Sequence, residues 1–211
     1  MNIIEYMVDI ILHLDVHLGQ IISAYGIATY SILFTVIFAE TGLVVAPFLP
    51  GDSLLFVAGA FAALGSLNIF VLLVLLILAA IAGDTANYWI GHFSGDKMVT
   101  FHKFPVNEKH LGKTQEYFQK HGGKTIILAR FIPIIRTYAP FVAGAGRMHY
   151  GKFLYFNVIG AVLWITLCTL AGYFFGNIPI VKNNFTLVIL AVILISLIPI
   201  LIQLIREKFR R

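Results

Sequence analysis

The chain has 211 residues, of which 59% are hydrophobic and only 12% charged, and its mean hydropathy is +0.90. Soluble domains carry about 25% charged residues, so this composition excludes an ordinary water-soluble enzyme and indicates a membrane protein with several passes. The net charge is +5, but no Lys or Arg precedes Lys97. Lys97, Lys103, Lys109, Lys113, Lys120 and Lys124 then share one polar segment, and Arg206, Lys208, Arg210 and Arg211 close the chain. The positive-inside rule puts the 97–124 loop and the C-terminus in the cytoplasm and the acidic N-terminal segment outside.

Residues 3–18 alternate apolar runs with Glu5, Asp9, His13, Asp15 and His17, which predicts an amphipathic interfacial helix rather than a signal peptide. Ile27 to Ala39 is apolar but reaches only about 20 Å as a helix, short of the ~30 Å hydrocarbon core. It runs into Phe-Ala-Glu40-Thr-Gly-Leu-Val-Val-Ala-Pro47-Phe-Leu-Pro50-Gly-Asp52-Ser, where two carboxylates and two prolines interrupt an apolar sequence. A charge at the bilayer centre costs roughly 2.5–3.5 kcal/mol, and proline breaks a helix, so this stretch predicts a re-entrant loop lining a polar site.

Gly65 to Asn68 predicts a return to the interface, and Leu67 to about Phe93 a spanning helix with Asp84 near its cytoplasmic end. Asn107 to Lys120 reads as a basic helix, its lysines meeting anionic lipid rather than nucleic acid. A second interrupted stretch follows, with Arg130, Pro133, Arg136, Thr137, Tyr138, Pro140 and Arg147, and it predicts a second re-entrant hairpin. Residues 153–176 span outward, and 185–205 form a C-terminal transmembrane helix.

The two interrupted stretches are related. Phe48-Leu-Pro50 recurs as Phe131-Ile-Pro133, Phe56-Val-Ala-Gly-Ala60 as Phe141-Val-Ala-Gly-Ala145, and Tyr88-Trp-Ile-Gly91 as Tyr173-Phe-Phe-Gly176. The expected fold is an all-α integral membrane protein in one domain, 1–211. It is an inverted repeat of re-entrant hairpin plus transmembrane helix, with interfacial amphipathic helices and the C-terminal transmembrane helix. Repeat one covers about 1–96 with its hairpin at about 27–65, and repeat two about 107–176 with its hairpin at about 125–147. One hairpin then supplies Glu40 and Asp52 from outside, and the other supplies Arg130 and Arg136 from inside. The acids and bases neutralise each other there, either as a structural salt-bridge cluster or as a functional site.

Phe-Ala-Glu-Thr-Gly-Leu, Pro-Phe-Leu-Pro-Gly-Asp-Ser, Gly83-Asp84 and Ala129-Arg-Phe-Ile-Pro-Ile-Ile-Arg-Thr-Tyr-Ala-Pro-Phe-Val-Ala-Gly144 resemble the DedA family of bacterial inner-membrane proteins. The likeness runs over nearly the whole chain, including Asn157-Val-Ile-Gly and Ala171-Gly-Tyr-Phe-Phe-Gly. That family shares its core domain with eukaryotic lipid scramblases of the VTT group, is tied to proton-motive-force-dependent membrane homeostasis, and includes translocators of undecaprenyl phosphate. The resemblance implies an inner-membrane transporter in which Arg130 and Arg136 bind an anionic head group while Glu40 and Asp52 couple protons. Asp84, Thr137 and Tyr138 are accessory candidates, and Pro47, Pro50, Pro133 and Pro140 mark the hairpin breaks.

The expected partners are membrane lipids, a polyprenyl phosphate among them, together with protons and anionic lipid at the basic loop, with room for an oligomer. No catalytic residue, metal or cofactor is expected: there is one cysteine, Cys168, and no Cys/His cluster or Gly-rich phosphate loop. The competing readings are a small-ion or drug/proton antiporter, an energy-independent phospholipid scramblase and, least favoured for want of a nucleophile or metal set, a lipid phosphatase.

Overall fold

A computed structural model describes residues 13–43, 51–98, 123–182 and 191. Pro47, Pro50, residues 3–12, the helix expected at Asn107 to Lys120 and the C-terminal helix at 185–205, apart from residue 191, lie outside the described residues.

Among the described residues the structure is helical, without strands. In chain order the helices are α1 (Leu14–Tyr25), α2 (Ala28–Gly42), α3 (Gly51–Ala63), α4 (Ile69–Met98), α5 (Lys124–Ala129), α6 (Pro133–Ala145), α7 (Tyr150–Phe175) and α8 (Pro179–Lys182). Two stretches are long and apolar enough to cross a membrane, Ile69–Ser94 and Tyr150–Phe175, each of 26 residues. At 1.5 Å per residue either one reaches about 39 Å, beyond the ~30 Å core. Phe70, Val74 and Leu78 lie exposed along one face of α4, and Leu163, Leu167 and Phe174 along α7. Such apolar stripes suit lipid, not water.

Local chemistry explains several boundaries. Asn68 Oδ1 accepts from the amides of Phe70 (3.0 Å) and Val71 (3.2 Å), capping the donors that the first turn of α4 leaves without partners. The preceding turn passes through Gly65 at φ +78°, where a side chain would be strained. After α6 the chain turns on Arg147 at φ +53°, a position usually given to glycine, while the Met148 amide returns 2.9 Å to the Ala143 carbonyl.

Two sequence expectations change. The N-terminal helix, expected to end at residue 18, continues to Tyr25 and buries Leu14 and Leu18, with Gly19 against the Phe61 ring of α3. Pro140 is not a break: Pro133 opens α6, and the helix runs on through Pro140 to Ala145. Proline removes one backbone bond, yet tertiary packing of the following residues on α4 holds the helix together.

The chain forms two compact units. The first takes α1, the start of α2 to Phe34, α3, α4 to Leu76, and α7 from Ile165 onward. The second takes α2 from Thr35, α4 from Ile77, α5, α6, and α7 to Trp164.

In the first unit α3 packs on the end of α7. A Cβ at Gly59 would collide with the Thr169 carbonyl and lie 2.9 Å from the Tyr173 amide, and one at Gly172 would strike the Phe56 carbonyl. In the second unit α6 packs on α4: Gly144 meets the Tyr88 carbonyl and the His92 amide, and Gly91 meets the Phe141 carbonyl. Small residues let the backbones touch, as they do between membrane helices.

By these contacts Gly91 plays the part of Gly172, and Tyr88 that of Thr169. The sequence match that pairs Tyr88 with Tyr173, and Gly91 with Gly176, is therefore one helical turn out of the packing register. Repeated aromatic and glycine residues on neighbouring turns make both registers plausible in sequence, and only the backbone contacts choose. Below α6 the second unit closes on Tyr88, Ile126, Ala129, Ala139, Ala143 and Phe153, with Tyr88 stacked on Phe153 at 4.5 Å and donating its hydroxyl to the Met148 carbonyl.

Candidate functional site

The charged residues of the second unit converge on one buried cluster. Its base is α4, where Gly83, Asp84 and Asn87 lie within about one turn. Gly83 has no side chain because α2 occupies that space: a Cβ there would meet Thr41 Oγ1, lie 2.8 Å from the Phe38 carbonyl and 3.1 Å from the Gly42 amide. This close approach sets the end of α2, and with it Glu40, beside α4. Arg130 comes from the turn between α5 and α6, and Arg136 from the first turn of α6. Asn157 and Trp164 come from α7.

Arg130 forms an ion pair with Asp84, and the same Nη2 donates to Asn157 Oδ1 at 2.6 Å. Asn157 in turn donates to the Ile81 carbonyl at 3.3 Å, so its amide is oriented by α4. Gly160 leaves room for the guanidinium, since a Cβ there would stand 3.4 Å from Arg130 Nε. Arg136 pairs with Glu40. Both guanidiniums lie over the Trp164 indole, with Cζ 5.7 Å from the ring centroid for Arg130 and 4.7 Å for Arg136. The indole face partly offsets the repulsion between two cations held in a small volume.

All four charges are buried, Glu40 completely and Arg136, the most accessible of them, at 7% exposure. Two acids against two bases leave the cluster formally neutral, which a low-dielectric interior requires. Arg130 nonetheless keeps a buried Nη1 with no hydrogen-bond partner among the described residues. A cationic donor left open inside a protein is expensive, and an anionic oxygen is the chemistry that satisfies it.

The placement of the expected residues is mixed. Glu40, Arg130 and Arg136 come together as expected, but the acid that meets Arg130 is Asp84, which the sequence offered only as an accessory. Asp52 belongs to the first unit, half-buried in the first turn of α3, where a carboxylate favours the helix N-terminus. Thr137 is buried and presents its carbonyl to Asn87, while Tyr138 is 45% exposed. Asn87, Asn157 and Trp164 were missed. The available signal was an amide one turn beyond Asp84 on an apolar helix, since polar residues inside spanning helices mark sites by default.

The VTT domain profile matches residues 49–174, more than half of the chain. The Escherichia coli K12 protein DedA is 53% identical over 211 residues, covering 99% of this chain and 96% of its own length. The chain belongs to the VTT-domain (DedA) family. Other members include a Mycobacterium tuberculosis H37Rv membrane protein, 41% identical over 85% of this chain and 80% of its own. The E. coli K12 inner membrane protein YqjA is 33% identical over 72% and 69% respectively. No solved structure matches. Within the VTT match fall Asp52, Asp84, Asn87, Arg130, Arg136, Asn157 and Trp164, whereas Glu40 precedes it. The last two are named as membrane and inner-membrane proteins, in keeping with the two helices of this chain that are long and apolar enough to cross a membrane.

Proposed function

We propose that this DedA-family protein is a bacterial inner-membrane transporter that carries a lipid phosphate, such as undecaprenyl phosphate, from one leaflet to the other under the proton motive force. The observation that carries this reading is the buried Arg130 Nη1, which has no hydrogen-bond partner among the described residues, in a cluster where two guanidiniums share one indole face. Guanidinium is permanently charged and planar, and it binds phosphate through paired N–H donors.

A phosphate head group arriving at Arg130 and Arg136 competes with Asp84 and Glu40 for the same donors. A carboxylate that loses its arginine in a low-dielectric medium cannot stay ionised and takes up a proton. One proton is thereby bound for each ion pair that opens, and it is released when the head group leaves and the pair re-forms. Glu40 and Asp84 serve as the acids of this exchange, and Asp52 carries a further proton. No covalent step is involved, so the protein acts as a carrier and not as an enzyme. The acyl or prenyl tail stays in lipid, and the basic 97–124 segment meets anionic lipid.

The test is leaflet-resolved movement of labelled undecaprenyl phosphate in vesicles containing the purified protein, with and without an imposed pH gradient. Gradient-dependent movement is expected. Ion flux without lipid movement would sink the reading in favour of an antiporter, and lipid movement indifferent to the gradient would favour a scramblase.

A further inference from the structure

Asn87 lies on α4 one turn beyond Asp84 and is fully buried. Its Nδ2 donates to two main-chain carbonyls, Thr41 at 3.2 Å and Thr137 at 2.7 Å. Both partners are acceptors only, so the amide can face them with nitrogen and not with oxygen. Thr41 is the residue after Glu40, in the last turn of α2, where a helix leaves its carbonyls without internal donors. Thr137 is the residue after Arg136, near the start of α6. One side chain thus ties the backbone beside the acid to the backbone beside the base, although Glu40 and Arg136 stand 96 positions apart in the chain. The other end of the amide, Oδ1, is buried without a hydrogen-bond partner among the described residues. The hydrogen bonds that the amide does make both go to those two carbonyls.

We infer that Asn87 is a positioning residue of the anion site. It holds α2 and α6 at the separation at which Glu40 and Arg136 meet, and it keeps both backbones in place when a phosphate takes Arg136 away from Glu40. The first part stands on geometry alone, and the second rests on the function proposed above. Purely structural glue would lower the stability of the whole second unit without selecting Glu40. A positioning role acts on one ion pair.

The two are separated with the full-length protein in lipid nanodiscs, comparing wild type with Asn87→Ala and with Asn87→Asp, which keeps the shape but loses the donors. Dicyclohexylcarbodiimide modifies carboxyl groups that are protonated in apolar surroundings, and peptide masses report Glu40 and Asp52 separately. Glu40 modification is expected to rise about fivefold in both variants, because a misplaced pair leaves the acid without its counter-charge. Asp52, in the other unit, is expected to stay at the wild-type level and so reports that the protein remains folded. Unchanged Glu40 modification in either folded variant, or Glu40 and Asp52 rising together in both, overturns the inference.

A second arm titrates farnesyl phosphate in a Trp89→Phe background, where Trp164, the remaining one of two tryptophans, reports on both guanidiniums. The Asn87 variants are expected to bind about tenfold more weakly, the size of effect of a lost buried hydrogen-bond contact. Equal binding by wild type and variants overturns the role in anion binding. Selective Glu40 modification with no farnesyl phosphate binding, even by wild type, overturns the proposed function while the positioning role stands.

Discussion

The α3–α7 contact of the first unit and the α6–α4 contact of the second are the same interlock built twice. Each places a Phe-Val-Ala-Gly-Ala helix on a long helix, with one glycine on each side accepting the other's backbone. In the register set by those glycines, Ile165 stands where Asp84 does, and Cys168 where Asn87 does. Ile165 is fully buried, and the only Lys or Arg among the described residues of the first unit is Lys182. Among the described residues the glycine contact is therefore made twice and the acid–arginine pairing is not. Backbone packing needs only small residues, whereas a buried charge needs a specific partner, and among the described residues the acid–arginine pairs lie in the second unit.

The strongest way to break this comparison is to remove one acid from each unit. Asp84→Asn leaves the buried Arg130 without its counter-charge and is expected to cost about 3–5 kcal/mol of stability, read as a large drop in the thermal midpoint in detergent. Asp52→Asn, at a half-buried helix start, is expected to cost about 1 kcal/mol or less. Equal losses would mean that the two units share the electrostatic load.

Next in size, Arg136→Lys preserves the charge but loses the planar fork. Transport of lipid phosphate is expected to fall roughly 100-fold, corresponding to about 2.7 kcal/mol, with the protein still folded in the membrane. Wild-type rates from the lysine variant would falsify two-point phosphate binding by this guanidinium.

The glycines sharpen the comparison from the packing side. Gly91→Ala and Gly172→Ala each force a methyl into a facing carbonyl, and each is expected to destabilise by about 1–3 kcal/mol. Only Gly91→Ala is also expected to weaken farnesyl phosphate binding, since it displaces α6 and Arg136. If Gly172→Ala weakened binding as much, the separation of scaffold from chemistry would be wrong. The smallest effect belongs to Cys168→Ala, which should leave lipid transport at the wild-type rate and stability within about 1 kcal/mol, in contrast to Asn87→Ala.

Much of this was legible in the sequence because charges are rare in so apolar a chain. Glu40, Arg130 and Arg136 announce themselves by being out of place, and Asp84 does so only less loudly. What could not be read was the pairing. Arg130 had three acids available in sequence, and it meets Asp84 where Asn157 also accepts from the same Nη2. Pro140 misled for a related reason: proline states a local preference, and helix α6 is held by contacts with residues far away in the chain. The recurring Phe-Val-Ala-Gly-Ala motif was readable but the register of its glycine contacts was not, because aromatic and glycine residues recur on adjacent turns.

By itself the sequence determined the membrane setting, the two long apolar helices, the family and the residues too polar to be idle. Those properties follow from the solvent each side chain prefers, which is local information. The tertiary structure decided which acid neutralises which base, which unit holds the paired charges, and that Asn87 and Trp164 belong to the site. These depend on distances of a few ångströms between segments distant in the chain, which the close contacts at Gly83, Gly91 and Gly144 set and no single stretch of sequence contains.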